Sequence, residues 1–161
     1  MWEIVWALFF RPFCGRFFMP WRGLLLRLFG ATLERGAHVY ASARIREPWN
    51  LEMGEHSCLA EDVICYNVDK VRIGSYATVS QRCFLCTASH DIDHPQHPLI
   101  TAPISIGTRA WVAAEACIGM GVTISTGAVV GARAAVFRDV GEWQVVGGNP
   151  AVFLRTRNKL I

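Results

Sequence analysis

Residues 106–140 read IGTRAWVAAEACIGMGVTISTGAVVGARAAVFRDV and repeat with a period of six. Large apolar side chains recur at every sixth position: Ile106, Val112, Ile118, Ile124, Val130 and Val136. A small or compact residue follows each of them four positions later, as Ala110 follows Ile106. Amphipathic helices and half-buried strands repeat every 3.6 and 2 residues, so neither fits. A period of six is typical of a parallel β-helix, in which each hexapeptide is one short strand and one turn.

The same ladder continues toward the N-terminus, where its inward positions are Val39, Ile45, Met53, Leu59, Cys65, Ile73, Val79 and Leu85. Three units make one triangular coil, and the large residues point into the prism. The register slips by two residues at Leu51–Glu52 and at Val71–Arg72, which predicts a bulged corner before each slip. A glycine just after the large residue, such as Gly107, is expected to permit the backbone angle of a turn. The pattern predicts an all-β parallel β-helix over residues 33–140.

One long excursion interrupts the ladder at residues 91–105. Together with the preceding His90, it holds three of the five histidines and also three prolines. Loops of this length inside a compact domain are usually functional. Residues 141–161 then form a C-terminal extension that ends in a basic tail, with Arg155, Arg157 and Lys159.

Residues 1–32 differ from the rest because aromatic side chains alternate with arginines there. Short helices are predicted near Trp2–Phe10 and Trp21–Phe29, since Pro12 and Pro20 break the segment. The longest apolar run is far below the roughly 20 residues that span a bilayer. Two interpretations stay open: the helices cap the open end of the β-helix, or they rest as an amphipathic patch on an anionic membrane.

Composition limits the classes of function. The chain has 161 residues, enough for one domain with a core, and a formal charge of +3, which argues against a dedicated nucleic-acid binder. Cys65 and Cys83 occupy inward positions, where free cysteine behaves as a small hydrophobe. No secretory signal peptide is recognised, and unpaired core cysteines favour the cytoplasm.

His90 is the candidate general base, because imidazole is the side chain best matched to proton transfer near neutral pH. It lies where the long loop leaves the prism, and Asp91 or Asp93 could orient its ring. A bland alternative is that His90 only makes a hydrogen bond within a turn.

A metal site is the other interpretation of these histidines. His90, His94 and His97, with His56 upstream, loosely resemble the three-histidine zinc site of β-helical carbonic anhydrases. Such ligands must converge tetrahedrally around an open position, which Pro95 and the proline after His97 make awkward. The prediction is therefore that no metal is bound.

Several motifs together resemble the hexapeptide-repeat acyltransferases, and more narrowly the colanic-acid-type polysaccharide acetyltransferases. They are Trp21-Arg22, Leu26–Gly30, Pro48–Leu51, Ser80-Gln81, Leu85–Asp91, Leu99–Ile104 and Gly147–Pro150. The resemblance covers the chain from about Trp21 to Ala151. It implies a left-handed β-helix that assembles as a homotrimer, with active sites between neighbouring subunits and acetyl-CoA in the groove between two prisms.

The resemblance also implies roles for individual residues. His90, with Asp91, would take the proton from a sugar hydroxyl as that oxygen attacks the thioester, in exopolysaccharide biosynthesis. Residues expected along the coenzyme A groove are Trp111, Ala114, Ala132, Arg138, Pro150 and Arg155. Asp62 and Asn67 are expected to contact the saccharide acceptor, which is free, nucleotide-linked or lipid-linked.

The chain departs from the family pattern at Ala113, Ser125 and Phe137, which replace turn glycines, and at Gly141-Glu-Trp143, which replaces Pro-Pro-Trp. Phe137 lies beside the expected coenzyme A groove. A non-catalytic β-helical scaffold is the alternative function from another class. The expected location is the cytoplasm, with contact between residues 1–30 and the inner face of the membrane as the open alternative.

Overall fold

The computed structural model describes residues 1–158 and shows three parallel sheets that form a triangular prism. Face 1 consists of strands Thr32–Leu33, Leu51–Met53, Val71–Ile73, Ile104–Ile106 and Thr123–Ile124. Face 2 consists of His38–Val39, Cys58–Leu59, Thr78–Val79, Trp111–Val112, Val129–Val130, Gln144–Gly147 and the antiparallel Val152–Thr156. Face 3 consists of Arg44–Ile45, Ile64–Tyr66, Phe84–Cys86, Cys117–Ile118 and Ala135–Val136. The predicted parallel β-helix with one excursion loop is confirmed.

The inward ladder is the core. Inward residues lie directly over their counterparts in the next coil, as Ile124 lies over Ile106 on face 1. Leu59, Val79, Leu85 and their counterparts are buried, because only a closed prism keeps their side chains from water. The cysteines in inward positions follow the same rule: burial raises the pKa of the Cys65 thiol to about 12. It is therefore a neutral packing group at physiological pH.

Glycine is required after the large inward residues for a different reason from the one expected. Gly107 does not adopt a positive φ; the left-handed turn residue is Arg109, two positions later, with φ of 56°. A Cβ on Gly107 would lie 2.6 Å from the backbone nitrogen of Thr126 in the next coil. Glycine is needed there because two backbones approach closely, whereas most left-handed turn positions hold larger residues such as Tyr76 and Glu115.

Edge 3–1, where the chain passes from face 3 to face 1, carries every predicted irregularity of the register. The first bulged corner contains the 3₁₀ turn Pro48–Asn50. The second lies directly above it, and Asn67 bridges the two through both backbone polar groups of Glu47. Buried Thr87 continues the stack, since its hydroxyl donates to the carbonyl of Tyr66 and accepts from the Asp69 amide.

The excursion loop is a β-hairpin on the same edge. Its strands, Ala88–His90 and Leu99–Thr101, pair antiparallel. The expected bounds of 91–105 are therefore wrong at both ends: pairing begins before Asp91, and Ile104–Ile106 is already a strand of face 1. Ile104 is fully buried there, because it sits one inward position ahead of Ile106.

The N-terminal segment is helical, as predicted. Helix α1 (Trp2–Val5) continues as a π-helical turn, Trp6–Phe10, and the 3₁₀ turn Arg16–Phe18 leads into α2 (Met19–Leu28). Trp2, Phe10 and Leu26 are buried against the first coil. Within residues 1–158, no helix is both long and apolar enough to cross a bilayer.

This segment also satisfies the carbonyl groups at the open end of the prism. Alternate backbone groups of the first coil bond to the second coil, as the N–H of His38 donates to Ser57, while the carbonyls between them, such as that of Val39, face the N-terminal segment. Side chains that can only donate cover them: Trp2 donates to Ile45, Trp6 to Ala43, Arg22 to Val39 and Arg27 to Leu33. The capping interpretation of these helices is supported by these contacts.

The other end of the prism is closed by the C-terminal extension. Val140 bridges to Ile124, and Val145 on the last parallel strand of face 2 pairs with Arg155 of the antiparallel strand. Arg157 donates to the carbonyls of Arg109 and Gly127 across the turns between faces 1 and 2. Lys159, the last member of the predicted basic tail, lies outside the described residues.

Candidate active site

His90 ends the first strand of the hairpin, opposite Leu99, and its side chain is exposed. The ring Nδ1 lies 2.6 Å from the backbone carbonyl oxygen of His97. Because a carbonyl can only accept, this bond requires the proton to be on Nδ1. The neutral ring then keeps its lone pair on Nε2, which is the atom that a general base uses.

The predicted carboxylate partners do not make this contact. Asp91 Oδ1 accepts instead from the amide of Asp93 at 3.0 Å, which closes a local turn in the hairpin loop. The group that orients the ring of His90 is therefore a main-chain carbonyl. The expectation that Asp91 or Asp93 orients His90 is wrong for this chain, because the His97 carbonyl takes that place and the Asp91 carboxylate bonds within its own loop.

The histidines of the hairpin do not converge on one point. Nδ1 of His94 accepts from the amide of Gln96, and Nδ1 of His97 lies 3.3 Å from the carbonyl of Asp91. Across residues 1–158, no three side chains among histidine, cysteine, aspartate and glutamate are grouped so as to hold a metal ion. The three rings instead serve the internal bonding of the hairpin.

Trp111 lies on face 2, away from the hairpin, with 47% of its side chain exposed. Its indole N–H donates to the hydroxyl of Ser80 in the coil below, at 2.9 Å. This bond fixes the indole as an exposed apolar wall on a rigid strand.

Three of the residues expected at the coenzyme A groove share edge 2–3, where the chain passes from face 2 to face 3. Ala114 and Ala132 lie in stacked turns, since the amide of Arg133 donates to the carbonyl of Ala114. Pro150 continues that edge, because the carbonyl of Gly148 accepts from the amide of Ala135 and the amide of Ala151 donates to the carbonyl of Ala135. Around these residues the edge presents small side chains and backbone groups, which we call the small-residue track; the ion-paired Arg82, Glu115 and Arg133 lie on the same edge.

The two predicted phosphate-binding arginines lie elsewhere. Arg138 is exposed on edge 3–1, and Arg155 is exposed on the antiparallel strand that ends face 2, where it bonds to the Thr156 carbonyl. Within one chain, therefore, neither arginine lies on edge 2–3 with Pro150. The ring of Phe137 lies over Gly119, so this turn replacement covers edge 3–1 rather than the track on edge 2–3.

The two residues expected to contact the acceptor differ in access. Asp62 is exposed at a left-handed turn with φ of 56°. Asn67 has no exposed surface, and its side chain binds the backbone of Glu47. The expectation for Asn67 is wrong, since a buried amide with internal partners has a structural task.

Sequence reasoning missed two contributors to this site. The hydroxyl of Ser80 holds Trp111, and the Ser80-Gln81 motif could have indicated it. The carbonyl of His97 orients His90, but a main-chain atom leaves no signal in side-chain identity.

The comparisons with known proteins bear on this arrangement. No family model matches the chain. A protein of Escherichia coli K12 named as the colanic acid biosynthesis acetyltransferase WcaF is 39% identical over 137 residues, which cover 85% of this chain and 75% of WcaF.

The chain belongs to the hexapeptide-repeat acetyltransferases. Enzymes of this family use acetyl-CoA as the acetyl donor.

Solved structures agree with this membership of the hexapeptide-repeat acetyltransferases. One from Vibrio cholerae is 28% identical, with a TM-score of 0.81, and covers 88% of this chain and 82% of its own. Its complex with acetyl-CoA has a TM-score of 0.73 at 25% identity, covering 87% of this chain and 78% of its own. A maltose O-acetyltransferase from Clostridium difficile 630 has a TM-score of 0.86 over 98% of this chain and 84% of its own; at 24% identity it shows the shared fold.

Proposed function

We propose that the chain moves an acetyl group from acetyl-CoA to a sugar hydroxyl in exopolysaccharide biosynthesis. The observation that carries this proposal is the His90 ring, held through Nδ1 on the hairpin with Nε2 available as a base. The similarity of the chain to WcaF, a protein named for colanic acid biosynthesis, supports a saccharide as the acceptor. The complex of the Vibrio cholerae relative supports acetyl-CoA as the donor.

In the proposed reaction, Nε2 of His90 takes the hydroxyl proton while the acceptor oxygen forms a bond to the thioester carbonyl carbon. The tetrahedral intermediate collapses when the carbon–sulfur bond breaks, and the thiolate of coenzyme A receives the proton back from the imidazolium. The bond from Nδ1 to the carbonyl of His97 persists through both transfers, because that nitrogen stays protonated. The hairpin thus keeps the proton on Nδ1 of His90 in place, while Nε2 accepts and then donates the proton of the reaction.

The site is proposed to form between neighbouring copies of a trimer. Within one chain, His90 is on edge 3–1 while Trp111 and the small-residue track lie on face 2 and edge 2–3. A closed ring of three copies can place the hairpin of one beside face 2 of the next. Light scattering should give three times the 17.9 kDa of one chain.

Mixed trimers test the shared site. His90→Ala and Trp111→Ala proteins, co-expressed with separate tags, should regain activity that neither has alone. Each mixed trimer then contains one unaltered pair, so about a quarter of all sites recover when copies mix equally. A trimer whose mixed forms regain nothing would mean that both residues act within one copy.

The experiment that tests the proposed function is an acceptor screen. Purified protein is incubated with acetyl-CoA and free, nucleotide-linked or lipid-linked saccharides, and products are detected by mass spectrometry. A mass gain of one acetyl group, together with release of coenzyme A, is expected for at least one saccharide. Metal analysis of the same sample separates acetyl transfer from the alternative of a zinc site like that of the carbonic anhydrases. If no saccharide is acetylated, the alternative of a non-catalytic scaffold is favoured.

A further inference from the structure

The N-terminal segment turns an apolar surface outward, although its inner side already caps the prism. Along the helices, Leu8, Phe17, Leu24 and Leu28 are exposed, with Phe17 at 89% and Leu28 at 70%. Phe17, Trp21, Leu24 and Leu28 follow helical spacing and form one stripe. Capping accounts for the buried residues and leaves this stripe unexplained.

Aromatic contacts make this outer surface continuous. The indole N–H of Trp21 donates to the carbonyl of Phe9 at 2.8 Å, which joins the two helical stretches. The ring of Phe13 lies 6.1 Å from that of Trp21 and 5.3 Å from that of Phe18, and Phe18 contacts Phe17. We call these residues, with Leu8, Leu24 and Leu28, the outer apolar face. Connected apolar surface of this kind marks interaction sites in soluble proteins.

A cavity of about 370 Å³ lies beside this face, between the N-terminal segment and the first coil. Its lining includes three arginines, Arg11, Arg16 and Arg22, and one carboxylate, Glu61. None of the three arginines makes an ion pair among residues 1–158. We call this space the arginine cavity; its lining carries an excess of positive charge.

Arg22 is the least usual member of the cavity because it is 98% buried yet lacks an acidic partner. Its guanidinium bonds only to main-chain carbonyls, at Val39, Phe13 and Gly15. Burial lowers the pKa of Arg22 from its ordinary value, which reflects the cost of holding this charge away from water. An anion in the cavity would offset that cost.

We propose that the arginine cavity and the outer apolar face together bind an anionic phospholipid bilayer. The lipid phosphate enters the cavity between Arg11 and Arg16, and the outer apolar face enters the boundary between headgroups and acyl chains. Charge complementarity favours anionic lipid, and the adjoining Trp21 and phenylalanines suit a bilayer interface rather than a soluble phosphate. The enzyme would then meet its acceptor at the membrane surface.

Vesicle binding tests this proposal without acetyl transfer, so it can fail while the proposed function stands. Wild-type protein should bind vesicles of phosphatidylcholine with about one third phosphatidylglycerol, and should bind pure phosphatidylcholine far more weakly. The double variant Arg11→Gln/Arg16→Gln should lose about 25-fold in affinity, about fivefold for each arginine near the surface. Glu61→Gln should bind about fivefold more tightly, because it removes the opposing charge.

A matched control removes the same charge from the body of the prism. Arg72→Gln/Arg133→Gln should bind within about twofold of wild type, since distant charges are screened by salt. Phe17→Ser/Leu28→Ser should lose binding at unchanged charge, and a wild-type melting temperature would show that it folds. Equal binding by wild type and Arg11→Gln/Arg16→Gln would overturn the proposal.

The same variants test two other possible ligands of this surface: a second copy of the chain on the outer apolar face, and a soluble phosphate in the arginine cavity. If Phe17→Ser/Leu28→Ser lowers the mass seen by light scattering, the face is covered by a second copy and the lipid proposal is wrong. If inorganic phosphate binds in the arginine cavity while anionic vesicles do not bind at all, the occupant is a soluble phosphate and the proposal is again wrong.

Discussion

The three edges of the prism are built in two ways. Across edges 1–2 and 2–3, inward residues are six apart, as from Ile106 to Val112 and from Val112 to Ile118. Across edge 3–1 they are eight apart from Ile45 to Met53, and 21 apart from Leu85 to Ile106. The regular edges repeat one turn, whereas edge 3–1 takes every insertion.

The difference shows how this fold separates stability from chemistry. A hexapeptide turn has to return the chain to the next strand, so its residues are fixed by backbone geometry. An edge that accepts insertions can place polar groups in arrangements that no repeat supplies. His90 stands on such an insertion, whereas the regular edge 2–3 carries only the small residues, backbone groups and charged side chains of its repeated turns.

The largest expected effect is on catalysis and falls on the irregular edge. His90→Ala should lower kcat by about 10²–10⁴-fold, the usual contribution of a positioned general base. The affinity for acetyl-CoA should change little, because the donor is held by other groups. His94→Ala is the matched control on the same hairpin, and its loss should be far smaller.

Steady-state kinetics with a responsive saccharide acceptor measures both variants. If His90→Ala keeps more than about a tenth of wild-type kcat, His90 is not the general base. The loss in kcat would then be smaller than the smallest contribution that a positioned general base makes to the rate. Equal and severe losses in His90→Ala and His94→Ala would indicate a shared metal instead.

The next effect is on stability and concerns the bulged corners of edge 3–1. Asn67→Ala leaves the amide and carbonyl of Glu47 without their partners, so the free energy of unfolding should fall by about 1–3 kcal/mol. Asp62→Asn, at an exposed turn of regular edge 2–3, should cost less than about 0.5 kcal/mol, because asparagine also tolerates the left-handed backbone there. Urea unfolding compares the two, and equal losses would show that the corners do not depend on Asn67.

The smallest effect concerns the ion-pair ladder on regular edge 2–3. Hydrogen bonds from Arg133 and then Arg82 lower the pKa of the Glu115 carboxyl from its ordinary value of 4.5. Because the pKa of Glu115 is lower in the folded state than in the unfolded state, its ion pairs stabilise the protein at a pH above the unfolded-state pKa. This stabilisation is lost as the pH falls through the folded-state pKa. Glu115→Gln should therefore lower the melting temperature slightly at pH 7, and the gap to wild type should close in acid. A gap that widens in acid would contradict this sign.

The sequence was informative where physical constraints repeat. The inward ladder, both register slips and the N-terminal helices follow from side-chain identity, because burial and helix breaking depend on it. The bounds of the hairpin were missed because Ile104 resumes the core before the six-residue period does. The role of Asn67 was missed because its partner is the backbone of Glu47, and that of Asp91 because the carbonyl of His97 orients His90. Main-chain partners leave no trace in residue identity.

Nitrogen-15 NMR of the histidine rings tests the central claim about edge 3–1 most directly. His90 donates from Nδ1 to a carbonyl, whereas His94 accepts at Nδ1 from the amide of Gln96. At a pH where both rings are neutral, His90 should carry its proton on Nδ1, and His94, as the internal control, should carry it on Nε2. A His90 ring protonated on Nε2 would contradict the account, because the hairpin would then present no lone pair to the acceptor hydroxyl.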